Sequence, residues 1–153
     1  MPSWTFALAS RWRIAARERF ETIASRRATV QRAKGMKRFT WIVLTNCTPG
    51  DDEAFNAWYD GVHKADLLRI PGIVGVKRAV LTDVQTMMQG ENIVMANAAM
   101  IDAKYKYLAI YEIEADDPAP VLQEVVKRAK TPEMLLSPTF AEAYTVLFED
   151  RGD

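Results

Sequence analysis

His63 is the only histidine in a chain of 153 residues. Imidazole is the one side chain whose unperturbed pKa lies near neutrality, so proton transfer is the first chemistry to seek around it. On a regular helix at about 100° per residue, Asn56, Tyr59, Asp66 and Ile70 fall within roughly 60° of His63, a mixed face with an amide, a phenol and a carboxylate. Asp66 would orient the imidazole or raise its basicity. Tyr59 would hydrogen-bond a substrate oxygen, and Tyr59 or Asn56 would stabilise a developing oxyanion. The apolar centre of the helix, marked by Phe55, Tyr59, Val62 and Ile70, is offset toward Tyr59 and leaves His63 at the core margin. A pocket can open at such a margin; a half-buried histidine capped by a carbonyl or by Asp66 is the other reading.

Three sheet aromatics, Trp41, Tyr107 and Tyr111, would wall a flat substrate or belong to the core or a dimer interface. Arg78, set in an otherwise apolar strand, would clamp a carboxylate or phenolate, or project into solvent. The chain has no glycine-rich phosphate loop, dinucleotide fingerprint, zinc spacing or serine nucleophile elbow, so neither a cofactor nor a metal is expected. Cys47 is the only cysteine, which excludes an intrachain disulfide and is expected as a plain thiol at a strand end.

The elements that must position these groups are legible. FTWIVLTNC (39–47) is β-branched and aromatic and is closed by Thr48-Pro49-Gly50, so it predicts the first strand. Asp51 and Asp52 open a helix that runs to Arg69 and ends at Ile70-Pro71-Gly72. IVGVKRAVLT (73–82) predicts the second strand and YKYLAIYEIE (105–114) the third, whose alternation puts Tyr105, Tyr107, Ala109, Tyr111 and Ile113 on one face. Between them, residues 83–104 are rich in Met, Asn and Gln without clear period, and predict a lid, a short helix or a partner contact. A second helix follows Asp116-Asp117-Pro118, with Val121, Leu122, Val125 and Val126 as its apolar stripe, and AYTVLFE (143–149) is the last strand. The order predicts an α+β, ferredoxin-like βαβ-βαβ ladder: a four-stranded antiparallel sheet with both helices on one face. Its second face then has to be buried elsewhere, most economically against a second copy, so a homodimer is expected.

A net charge of zero conceals an asymmetry. Residues 1–38 hold ten Arg or Lys against Glu18 and Glu21, a net of +8, and the remainder carries −8. Phe6 to Arg32 reads as a helix, so 1–37 is expected as a basic N-terminal extension and 38–153 as the domain. Three readings of the extension stay open: an over-extended start with Met36 as the true one, a targeting segment, or a helix that packs on the domain or a partner. No uncharged apolar run approaches the roughly 20 residues needed to cross a bilayer, and a cytoplasmic location without nucleic acid as partner is expected.

The run Asn56-Ala-Trp58-Tyr59-Asp60-Gly-Val-His63-Lys-Ala-Asp66-Leu67-Leu68-Arg-Ile-Pro71-Gly72-Ile-Val, with Lys77-Arg78 after it, resembles the first helix and second strand of EthD-like members of the dimeric α+β barrel superfamily. The shared pattern is an aromatic pair, a histidine four or five residues later and a Pro-Gly turn. The resemblance covers 38–150. It implies a dimeric barrel with a small cavity between sheet and helices, and a superfamily of cofactor-free cyclases, dehydratases, isomerases and monooxygenases, with haem enzymes among its branches. It transfers one residue, His63, as acid or base. The resulting expectation is a small cofactor-independent enzyme of lyase, cyclase or isomerase type acting on an aromatic or carbonyl-containing small molecule, with His63, Tyr59 and Asp66 in the reaction and Asn56, Trp41, Tyr107, Tyr111 and Arg78 around the substrate. The alternatives are metal-free oxygenation of a phenol and a non-catalytic dimer that binds a ligand.

Overall fold

The computed structural model of the protein describes residues 35–152; the expected helix over Phe6 to Arg32 lies outside them. Strand β1 spans Lys37–Cys47. After the Pro-Gly turn, Asp52 and Glu53 place negative charge in the first turn of α1, Asp52–Trp58, where the helix dipole favours it. The helix then widens into a π-helical turn, Tyr59–His63, and resumes as α2, Lys64–Leu68. Strand β2 is Ile73–Val80, β5 is Tyr107–Ala115, α3 is Ala119–Arg128 and β6 is Phe140–Glu149. Asp117 caps the entry to α3, its Oδ1 accepting the Ala119 N–H at 2.9 Å.

Of the readings of residues 83–104, the short helix is corrected. Much of this stretch is a β-hairpin of β3, Gln85–Gln89, and β4, Asn92–Ala96, joined by Gly90-Glu91 with Gly90 at φ +62°. A two-residue loop with a glycine at positive φ suits a tight hairpin. Its register pairs Thr86 with Met95 and Met88 with Ile93, so Met88, Ile93 and Met95 share one exposed face.

The main sheet has the order β2-β5-β1-β6 with every pairing antiparallel, the ferredoxin-like order expected from βαβ-βαβ. Strand alternation makes one face from Phe39, Val43, Thr45, Tyr107, Ala109, Tyr111 and Ile113, all buried. Phe55, Tyr59, Leu67 and Ile70 from the first helix and Val121 from α3 close the core over that face. Tyr105, expected on the same face, lies just outside β5 and stacks at 6.3 Å on Tyr144. The opposite face presents Ile42, Leu44, Leu108, Ile110 and Val146, half-buried, with Tyr144 and Phe148 exposed beside them. Both helices thus serve one side of the sheet.

Candidate functional site

The π-turn decides where the helix's polar groups go. In it the Lys64 N–H reaches the Tyr59 carbonyl, five residues back rather than four. The extra residue breaks the single mixed face expected from 3.6-residue spacing into two groups.

The first group gathers at the β2 edge of the sheet. Arg78 shares its strand face with Val76 and Val80, whose register partners are Tyr111 and Tyr107, and this parity turns it to the helix-covered side. There its side chain is 13% exposed. One Nη donates to Asn56 Oδ1 at 2.9 Å, the other pairs with Asp60 Oδ1 at 3.0 Å, and Nε is buried without a partner among the described residues. The guanidinium lies 4.1 Å over the Tyr59 ring, a cation–π arrangement that partly replaces lost hydration. Asn56 Nδ2 in turn donates to the Tyr107 hydroxyl at 3.1 Å and to the Asp52 carbonyl at 2.8 Å.

Tyr107 passes its own hydroxyl proton toward the Asp52 carboxylate, which also takes Lys106 Nζ at 2.6 Å and the Cys47 thiol at 3.4 Å. The Lys106 ammonium, then the Tyr107 hydroxyl, hold the Asp52 carboxyl down at about 2. Burial raises the Tyr107 phenol and the Cys47 thiol, so both are protonated donors at neutral pH. Asn56, Arg78, Ala79, Val80 and Tyr107 line an open cavity of about 360 Å³. A second, largely apolar one of about 300 Å³ adjoins it through Val80 and Tyr107 and reaches Leu44, Leu108 and the base of the hairpin.

The second group is His63 and its neighbours. The imidazole is 7% exposed, stacks on Trp58 at 4.6 Å and meets the Tyr59 ring edge-on at 4.9 Å. Its Nδ1 is buried with no partner among the described residues. Burial pushes its pKa down to about 4, with Asp66 opposing and Arg78 reinforcing, so the ring is neutral at pH 7. Asp66 is buried too, but its carboxylate is engaged by Arg69.

The remaining expected residues occupy the core. Tyr59 shares a hydroxyl–hydroxyl hydrogen bond of 2.7 Å with Tyr111, both rings being almost fully buried; burial raises both phenols, Tyr111 strongly. Trp41 packs on Tyr111 at 5.2 Å. Asn56, Arg78 and Tyr107 therefore converge on one cavity; Tyr59 lies under the Arg78 guanidinium, Tyr111 and Trp41 pack in the sheet layer, and His63 and Asp66 line neither this cavity nor the one adjoining it. Asp60, Trp58 and Asp52 complete the arrangement and are not among the site residues expected from sequence. The Asp60-Gly61 pair inside a helical stretch was the available signal for a local irregularity, since a mid-helix glycine is unfavourable.

No protein-family model matches the chain, and no curated protein matches it. Among solved structures, the chain is similar to an ethyl tert-butyl ether D (EthD) family protein from Bacillus halodurans, with 17% identity, TM-score 0.43, and 74% of this chain and 98% of that chain covered. It is similar to a dimeric ferredoxin-like protein of unknown function from Thermobifida fusca, with 13% identity, TM-score 0.41 and coverage of 74% and 91%. A third is the GlnK–ATP complex of B. subtilis, with 19% identity, TM-score 0.32 and coverage of 75% and 85%. The ferredoxin-like assignment rests on strand order and register. Among the described residues no helix is long and apolar enough to cross a membrane, and no group of three or more His, Cys, Asp or Glu is placed to hold a metal ion.

Proposed function

We propose that the protein binds a small carbonyl-containing molecule in the cavity at the β2 edge, with Arg78 donating to one of its oxygens while Asn56 and Tyr107, whose own protons are committed to neighbours, hold the guanidinium and line the wall. The observation that carries this reading is the convergence of a guanidinium, an amide and a phenol, from three separate elements, on the wall of one cavity backed by aromatic rings. Titrating the 15N-labelled protein with hydroxyaryl ketones tests it. Amide shifts should centre on Ala79, Val80 and Tyr107; saturable shifts confined to another part of the domain would refute the assignment.

A chemical step on the bound molecule is supported by one further observation, the buried Nδ1 of a neutral imidazole against Tyr59, the same ring that carries Arg78. With a pKa of about 4 the neutral ring is a weak base at pH 7, and proton exchange with a ligand requires the packing of Trp58 and Tyr59 around it to open. In this reading His63 exchanges a proton with the ligand without a cofactor, in a lyase, cyclase or isomerase reaction. Asp66 adjusts the ring's basicity through its charge and Tyr59 positions it. With an identified substrate, His63→Gln should lower turnover at least tenfold while leaving binding within twofold. Turnover within twofold of wild type would remove His63 from the chemistry and leave a ligand-binding protein. Oxygen consumption during turnover would select metal-free oxygenation instead.

The domain is also proposed to work as a homodimer, joined through the sheet face of Ile42, Leu44, Leu108, Ile110 and Val146, which would close the dimeric α+β barrel. Membership of the EthD-like family belongs to this proposal, supported by the resemblance of the 56–74 run; a domain division at residue 37, supported by the change of net charge there, and a cytoplasmic location are proposed with it.

A further inference from the structure

We infer that the ligand of the Arg78 cavity carries a carboxylate or an equivalent oxyanion, and that Asp60 is an internal stand-in for it, displaced when the ligand binds. The inference deepens the proposed cavity reading and rests on it. Its starting point is an imbalance of burial across one ion pair: the Arg78 side chain is 13% exposed, whereas that of Asp60 is 55% exposed. A guanidinium withdrawn this far from water needs strong compensation, and an exposed, flexible carboxylate supplies little.

The donor inventory points the same way. Of five guanidinium N–H groups, one is used by Asn56 and one by Asp60, and Nε–H is buried without a partner among the described residues. Two N–H groups on the terminal nitrogens remain, on a side chain that lines the cavity. Planar forks of this kind take carboxylates bidentately. Asp60 is the only carboxylate within ion-pair distance of Arg78 among the described residues. It is delivered by the second residue of the π-turn, next to Gly61, where nothing crowds the backbone. It therefore lies on the irregular part of the helix and can swing outward without disturbing the core. Phe55, Tyr59 and Tyr107 surround the guanidinium at 4.1 to 5.8 Å, and Tyr107, with Ala79 and Val80, lines the cavity and supplies a wall for an apolar body attached to the anion.

The test compares benzoate with its neutral isostere benzamide by NMR titration of the 15N-labelled full chain, following Ala79, Val80, Tyr107 and the arginine Nε–H signals. Wild type should bind benzoate at least tenfold more tightly than benzamide. Asp60→Asn, a change at an exposed position, should tighten benzoate about three- to fivefold at low salt by removing a competing charge, with no effect on benzamide and a smaller gain at high salt. Arg78→Lys should lose most of the benzoate preference, because an ammonium has no planar fork. If both probes shift the cavity residues equally and Asp60→Asn changes neither, the anion inference fails and the cavity reading survives. Benzoate binding that ignores Asp60→Asn overturns the role given to Asp60. If neither probe shifts those residues, the cavity reading itself falls.

Discussion

Burial fixes the charge of His63, and that has a measurable consequence for stability. Its pKa is about 4 in the folded chain against an ordinary 6.5, so the native state binds fewer protons than the unfolded one between those values. This group's stabilising effect is complete above pH 6.5 and is lost as pH falls toward 4. A shift of that size corresponds to on the order of 3 kcal/mol. Urea denaturation at pH 7 and pH 4.5 should show wild type losing much of this amount, and His63→Phe, which cannot be protonated, losing correspondingly less. Equal pH dependence in the two proteins would show that the imidazole is better hydrated than its 7% exposure indicates. The Tyr59–Tyr111 hydroxyl pair behaves differently, since each hydroxyl satisfies the other out of reach of water. Tyr59→Phe or Tyr111→Phe alone should cost about 1 to 2 kcal/mol by stranding one hydroxyl. The double variant should cost less than the sum, a coupling that a thermodynamic cycle measures directly.

The first helix and the turn after it carry two devices that a regular element would lack. The π-turn adds a residue without breaking the helix, and that residue lets Asp60 reach Arg78 while His63 stacks on Trp58 five positions earlier. Deleting Gly61 should restore four-residue spacing, leave far-UV circular dichroism nearly unchanged and abolish cavity binding; retained binding would mean that the turn is incidental. At the helix's far end Gly72 has φ +101°, and a Cβ there would sit 2.7 Å from Val121 Cγ2. Gly72→Ala should therefore destabilise by about 2 to 4 kcal/mol, the sum of a left-handed backbone penalty and an overpacked contact. Adding Val121→Ala should relieve the contact but not the backbone penalty, so only part of the loss returns.

Across the whole domain, two helices on one side of a four-stranded sheet leave Ile42, Leu44, Leu108, Ile110 and Val146 on the other. Ile110→Lys places a charge at the middle of that face, and light scattering should then show association weakened at least tenfold with the circular dichroism of a folded domain. A wild-type monomer at high concentration would dispose of the dimer. Much of this architecture was legible locally, because its signals are short in range. Alternation from Tyr107 to Ile113 defined the buried side of β5, the Pro-Gly turn ended the first helix, and Val121, Leu122 and Val125 marked the face of α3 that packs on the core, whereas Val126, expected in the same stripe, is exposed. Two local features escaped. The 83–104 stretch hid a hairpin whose exposed methionines imitate an aperiodic loop, and the π-turn altered the angles assumed for the helix. The candidate site was legible as residue types but not as an arrangement. Arg78 meets Asn56 across 22 residues, and Asn56 meets Tyr107 across 51. Only the pairing of β2 with β5, in the register that sets Val80 against Tyr107, brings those side chains to one cavity and leaves His63 out of its lining. Chain-local chemistry specifies which groups are available and which way each strand residue faces; the distances between them follow from how the strands close into one sheet.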